Sequence, residues 1–460
     1  MTIRILIVDD SVVIRKLLTT TLGEVPGFEV VATAALGSIA LTKIPLVRPD
    51  VVILDVEMPE MDGIETLKRI RKDSPRLPVI MFSTKTDRGA AATIEALTSG
   101  ASDYVAKPSN VGNVALAMQR VREDMVPKIH ALTAPPRRTI TVPPALRGTP
   151  SPGAPSPGAP ITAPTPTITG LTQAVPTVTT QAMPTVAPPQ TSPTPTITGA
   201  PALSAMQTAP TPTIAGLIAQ AQIPTGTTSH TTRMPALVLP RARGNTGPPD
   251  PIRLVRVVGP RPAVEIVAIG ASTGGPNALA LLLAQLPNDF PVPIVIVQHM
   301  LATFTRHFAE RLAAQCKIQI VEANAGDALI AGRAYIARGD YHMVVERKTG
   351  RATLGMNQNE VENFCRPAVD VLFRSVAHAY GPSALAVVLT GMGHDGLLGC
   401  GAIREAGGDV IVQDEASSVV WGMPGFVARA GLASQLVALD DLGGEVRRRV
   451  ALGARIESRA

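Results

Sequence analysis

The chain has 460 residues, 43 of them proline, and a formal net charge of +6. Twenty-eight of those prolines fall in the 132 residues from Ala131 to Pro262, a window without Phe, Trp, Tyr, Cys, Lys or Glu. Such a segment cannot bury enough apolar surface to offset its ordering entropy, which excludes a third globular domain in the middle. The window carries nine arginines and one acid, Asp250, so its +8 leaves the flanking parts with −2 between them. The basic pI of 9.4 therefore belongs to a spacer with no aromatic residue to stack a base, and nucleic-acid binding is not expected. Cys316, Cys365 and Cys400 form no CxxC pair, which points away from a disulfide framework and a zinc site. No apolar run reaches the ~18 residues a bilayer span needs, and Met1–Ile5 does not read as a signal peptide. The expectation is a cytoplasmic protein without membrane insertion: domains at 1–130 and 263–460, and a Pro/Thr/Ala-rich disordered spacer at 131–262.

The first part alternates short apolar runs with amphipathic stretches. The runs Ile3–Val8, Phe28–Ala32, Val51–Leu54, Val79–Phe82 and Tyr104–Ala106 predict strands. Helical patterns lie near 11–22, 36–46, 62–72, 86–99 and 110–126. This alternation predicts a five-stranded parallel sheet with helices on both faces, whose ligands bind beyond the carboxyl ends of the strands. Asp9 and Asp10 follow the first strand, Asp55 ends the third, Ser83 and Thr84 follow the fourth, and Lys107 follows the fifth. Single aspartates at such places often only cap the next helix. Three converging on one pocket repel each other and invite a hard cation, with Mg²⁺ the best suited. Lys107 beside them completes a site where a carboxylate can attack a phosphoryl group.

The strings V-D-D-S, L-D-V-E-M-P-E-M-D-G and D-Y-V-A-K-P resemble the response-regulator receiver family over residues 1–125. The resemblance implies a flavodoxin-like fold with Asp55 as phospho-acceptor. Asp9, Asp10, Asp55 and the Glu57 carbonyl would surround Mg²⁺, and Ser83 and Tyr104, with Lys107, would report phosphorylation.

The spacer repeats PTPTITG at 164–170 and 193–199 and PTPTIAG at 210–216, and it contains SPGAPSPGAP at 151–160. The irregular offsets argue against a stacked solenoid, and the proline density favours extended polyproline segments. A semi-rigid tether and a partner-docking segment both fit.

In the last part the strand-like run Val264–Ile269 enters Gly270-Ala271-Ser272-Thr273-Gly274-Gly275-Pro276, and a helical pattern follows to about Leu286. The string fits a nucleophile elbow and a phosphate cradle equally well. The neighbouring strands discriminate. Pro293–Val297 leads to His299, and Ala384–Leu389 leads to Asp395 in a Gly-rich turn. A hydroxyl, an imidazole and a carboxylate at strand ends of one doubly wound α/β sheet are the parts of a Ser-His-Asp triad. The rivals stand in poorer contexts. His394 adjoins Asp395 on the same turn, His307 and His378 lie in helical runs, His342 lies in a hairpin, and Asp340 and Asp370 are the alternative carboxylates. The order Ser272, His299, Asp395 departs from the Ser, acid, His order of α/β-hydrolases.

The strings I-G-A-S-T-G-G-P, V-Q-H-M, F-C-R-P-A-V-D-V-L-F-R-S-V-A, L-T-G-M-G-H-D-G and Q-D-E-A-S-S-V-V-W-G-M-P-G resemble the protein-glutamate methylesterase domain of chemotaxis over about 263–455. Receiver followed by this domain is the arrangement of the CheB family. The resemblance implies Ser272 as nucleophile, His299 as base and Asp395 as orienting acid. The Met392 N–H would serve in the oxyanion hole and Thr273 in orientation, with Arg366 and the Gly274 and Gly275 amides along the substrate groove. It further implies a cofactor-free esterase acting on methyl-accepting chemoreceptors for adaptation, often joined by glutamine deamidation. The chemotaxis histidine kinase would supply the phosphoryl group. The contrasting expectation is a phospho-dependent interaction module with an inactive esterase-like domain. The spacer exceeds the linker usual in that family, so inhibition by the receiver in cis would have to rest on the domain interface itself.

Overall fold

A computed structural model describes residues 2–108, 114–134, 252, 254–255, 262–348 and 350–457. The repeats of the spacer lie outside the described residues.

The receiver elements run β1 (Ile3–Val8), α1 (Val12–Gly23), β2 (Phe28–Ala34), α2 (Gly37–Val47), β3 (Val51–Asp55), α3 (Gly63–Asp73), β4 (Val79–Ser83), α4 (Asp87–Thr98), β5 (Asp103–Ala106) and α5 (Val114–Thr133). The strands form one parallel sheet in the order β2-β1-β3-β4-β5. Helices cover both faces, which is why Val51–Asp55 and Val79–Ser83 are buried throughout. Polar side chains start the helices: Ser11 accepts from Ile14 N, Asp62 from Glu65 N and Thr86 from Gly89 N. Helix α5 runs to Thr133, three residues into the window read from composition as spacer. Ala131 and Leu132 are compatible with a helix, and Leu132 packs on the receiver core.

The esterase-like part runs β6 (Ile266–Ala271), α6 (Gly275–Ala284), β7 (Ile294–Gln298), α7 (Ala302–Gln315), β8 (Gln319–Glu322), β9 (Arg333–Ile336), β10 (His342–Lys348), β11 (Arg351–Asn357), α8 (Val369–Tyr380), β12 (Ala384–Val388), α9 (Leu397–Glu405), β13 (Asp409–Gln413), α10 (Met423–Arg429), β14 (Gln435–Val437) and α11 (Leu439–Glu457). Seven parallel strands are ordered β14-β13-β12-β6-β7-β9-β8, and β10 and β11 form a separate antiparallel pair. The chain leaves β6 toward β7 and later returns to β12 on the other side. The crevice at that reversal, beyond the carboxyl ends of β6 and β12, is where a doubly wound sheet binds ligands. The same reversal lies between β1 and β3 of the receiver.

Helix α4 of the receiver packs against α6 and α7. One apolar cluster runs across this junction from Leu97, Ala101 and Tyr104 to Phe304 and Phe308. The Tyr104 and Phe304 rings lie with centroids 4.7 Å apart.

Candidate active site

In the receiver, β1 and β3 deliver their terminal aspartates to one pocket. Asp9 and Asp55 are buried and Asp10 is exposed. Ligand oxygens of all three lie within 4.8 Å of one another. From the end of β5, Lys107 Nζ reaches Asp55 Oδ2 at 2.7 Å and Asp9 Oδ2 at 2.9 Å. Burial, and then the neighbouring Asp9 charge, push the Asp55 pKa up to about 6 against the opposing pull of Lys107. A pocket of hard oxygen donors with two more negative charges than its lysine offsets fits a hydrated divalent cation such as Mg²⁺. Ser83 Oγ donates to Gly89 O at 3.1 Å, so its hydroxyl faces the first turn of α4.

At the second crevice, Ser272 follows β6, His299 follows β7 and Asp395 lies on the turn after β12. All three line one cavity of about 440 Å³. His299 Nε2 lies 2.7 Å from Asp395 Oδ2, so the carboxylate occupies that ring nitrogen. Ser272 Oγ makes no hydrogen bond among the described residues. Its backbone is fixed on both sides: Ser272 N donates to Thr390 O at 3.1 Å, and Gln298 Nε2 donates to Ser272 O at 3.0 Å. Gly391 lets the two strand ends approach, because a Cβ there would fall 2.9 Å from Ser272 Cβ and closer still to Met423 Sδ. Gly274 starts α6 with φ +77°, a conformation glycine adopts without penalty.

Asp395 is nearly buried and accepts five hydrogen bonds. Val369 N (2.7 Å) and His299 Nε2 reach Oδ2, while Asn363 Nδ2 (2.8 Å), Asp370 N (3.0 Å) and Gly396 N (3.0 Å) reach Oδ1. Two of these amides are the first of α8, so the carboxylate stands at a helix N-terminus. Burial opposes its charge, but these donors outweigh burial and hold its pKa below the usual carboxylate value. For His299, burial opposes the charged ring, and the contacts with Asp395 and Cys365 outweigh it and raise the pKa. Met392 lines the cavity, and its N–H donates to no group among the described residues.

The CheB methylesterase family model matches residues 267–446, and the response regulator receiver domain model matches residues 5–119. A protein-glutamate methylesterase/protein-glutamine glutaminase of Trichodesmium erythraeum is 42% identical over 97% of this chain and 99% of its own length. The protein of the same name from a Nocardioides species is 42% identical over 98% of this chain and 96% of its own. The solved catalytic domain of Thermotoga maritima CheB methylesterase is 36% identical over 40% of this chain and 98% of its own, with a TM-score of 0.40. This chain belongs to the CheB methylesterase family.

The CheB receiver reaches the esterase crevice despite the long spacer. Thr273 Oγ1, beside Ser272, donates to Asp103 Oδ2 at 2.5 Å, and Gly274 N donates to Ser102 O at 3.1 Å. Leu301 N donates to the Tyr104 hydroxyl at 3.1 Å, and His307 Nε2 faces Asp87 Oδ1 at 3.7 Å. Leu97, Asp103, Tyr104 and Lys128 of the receiver line the same cavity as Ser272 and His299.

Among the rivals, His394 is exposed and stands edge-on to Phe426, its ring centroid 5.8 Å away. His342 begins the β10–β11 hairpin, and His307 and His378 lie on α7 and α8. Arg366 lines an adjoining cavity and pairs with Asp340 at 2.6 Å. Asp370 is fully buried directly behind Asp395, with Asn363 Nδ2 between their carboxylates. The residues that sequence reasoning missed are Asn363, Asp103 and Lys128. The only signal for Asn363 was its place just before the F-C-R-P string, and nothing in the receiver strings pointed Asp103 outward.

Proposed function

We propose that this CheB-family chain hydrolyses glutamate γ-methyl esters on chemoreceptors in the cytoplasm, under control of phosphorylation at Asp55. The observation that carries the reading is the His299–Asp395 pair, which lines with Ser272 a cavity that the receiver also lines. Ser272 Oγ attacks the ester carbonyl while His299 takes the hydroxyl proton. The oxyanion forms beside the Met392 N–H, an open donor, and Asp395 stabilises the imidazolium. Collapse of this intermediate expels methanol, which leaves with the proton held by His299. Water then enters by the same route in reverse, releasing glutamate and restoring Ser272. With a carboxamide in place of the ester the leaving group would be ammonia, so glutamine deamidation falls within the same chemistry.

Asp55 takes the phosphoryl group from the chemotaxis histidine kinase. Asp9, Asp10 and Asp55, with the Glu57 carbonyl, would hold Mg²⁺, which neutralises the phosphoryl oxygens when bound. Phosphorylation draws the Ser83 hydroxyl and Lys107 toward the phosphoryl group. Through Tyr104 and its strand β5 this loosens the receiver from the esterase crevice. The silent binding module is the weaker reading, since the two relatives compared above are named as enzymes along nearly the whole chain. The test is methanol release from methylated receptors: Ser272→Ala should abolish it while leaving the fold intact.

A further inference from the structure

Asp370 and Asp395 are both buried, and neither forms an ion pair with Lys or Arg among the described residues. Two such carboxylates side by side favour capturing a proton, because like charges in a low-dielectric site raise one another's pKa. One neutral side chain lies between them. Asn363 Nδ2 is 2.8 Å from Asp395 Oδ1 and 2.9 Å from Asp370 Oδ2, so each of its two protons is given to a different carboxylate. Gly399 N holds Asp370 Oδ1 from the far side at 2.6 Å.

The local backbone explains how Asn363 gets there. Glu362 N donates to Cys365 O at 3.1 Å and Cys365 N to Glu362 O at 2.9 Å, closing a tight turn. Its two central residues, Asn363 and Phe364, have φ of +54° and +62°. Asn is among the few residues that accept this left-handed geometry readily. The turn folds the carboxamide inward and leaves Phe364 wholly exposed.

We propose that Asn363 is a positioning residue of the esterase, clamping Asp370 and Asp395 so that Asp395 stays ionised and aimed at His299. A neutral double donor suits this place. A lysine would relieve the repulsion too, but it would compete with the imidazolium for Asp395. The other groups facing the pair do not replace it. Glu362 is paired with Arg374 of α8 at 2.6 Å, and His342 of β10 accepts from Ala368 N through Nδ1 at 3.2 Å. Burial holds the Cys400 thiol on α9 in its neutral form. Burial also lifts the Asp370 pKa to about 6, so Asp370 is the member of the pair closer to taking up a proton.

The inference rests on the esterase reading. Its test measures methanol release by the full-length chain with a phosphoryl donor, from pH 6 to pH 9, for Asn363→Ala and for Asn363→Ala/Asp370→Asn. Asn363→Ala should lower kcat about tenfold near pH 6.5, the scale of one charge-assisted hydrogen bond, with KM within about twofold. The deficit should shrink toward pH 9 as the pair loses its extra proton, and adding Asp370→Asn should recover most of it. A loss independent of pH, or a double variant no better than the single one, overturns the proposal. Should Asn363→Ala alone fail to fold, recovery of folding in the double variant supports the clamp and an equally unfolded double variant overturns it. The downfield proton resonance of the His299–Asp395 hydrogen bond gives a readout that needs no turnover. It should weaken in Asn363→Ala and return in the double variant, and an unchanged resonance overturns the clamp. A wild-type chain that releases no methanol would contradict the esterase reading instead.

Discussion

Asp55 and Asp395 occupy matching places in the two halves of the molecule. Each is a buried aspartate beyond the carboxyl ends of parallel strands where the strand order reverses. Their surroundings drive them in opposite directions. Asp55 has a second buried aspartate beside it and one lysine to serve both, and its pKa is pushed up to about 6. Asp395 has five donors and the start of α8, and its pKa is pulled down. An under-neutralised carboxylate is suited to take a cation and a phosphoryl group. A saturated one is suited to remain an anion through every catalytic cycle. The difference between switch and machine lies here in the count and kind of donors, not in the residue type.

The contrast can be broken most severely at Asp395. Asp395→Asn replaces the permanent anion by a group that stabilises the wrong imidazole tautomer. Methanol release should fall by about 10⁴-fold while circular dichroism stays unchanged. A loss of less than tenfold would remove Asp395 from the triad.

A smaller effect is expected where the two halves meet. Asp103→Ala removes the receiver's hydrogen bond to Thr273 and, within the receiver, the ion pair with Lys128 at 2.7 Å. Esterase turnover without phosphoryl donor should rise about tenfold, again the scale of one hydrogen bond to a charged group. An unchanged basal rate would show that the receiver does not restrain the crevice through this contact.

A thermal effect concerns Asp55 and pH. Its folded-state pKa is raised, so its protonation favours the native receiver. That contribution is complete below pH 4 and is lost as pH rises through about 6. Asp55→Asn should therefore raise Tm by several degrees at pH 7, at most about 3 kcal/mol, and by little at pH 4. Equal Tm changes at the two pH values would contradict the raised pKa.

Much of this was legible in the sequence because strand-end residues are local. Asp9, Asp10, Asp55 and Lys107 each follow an apolar run directly, and so do Ser272 and His299. The strand boundaries shift by only a residue or two, as at Val51–Asp55 and Ile266–Ala271. Asn363 was not legible. It lies on a turn between β11 and α8, outside the parallel sheet, and its role depends on Asp370 and Asp395 meeting across α8 and the turn after β12. Asp370 looked like a weaker rival to Asp395 because its helical context hid the fact that the two share one site. The approach of Asp103 to Thr273 spans 170 positions in the chain, and no periodicity records such a meeting.

Ester hydrolysis by Ser272 under the receiver's control is the reading that joins the two halves of the molecule. The direct measurement is methanol released from methylated chemoreceptors by the full-length chain and by Ser272→Ala, each with and without a small-molecule phosphoryl donor and Mg²⁺. Release by the wild-type chain should rise with the donor, and Ser272→Ala should release none under either condition. Methanol release by Ser272→Ala near the wild-type rate, or no release by the wild-type chain with the donor present, would contradict that reading.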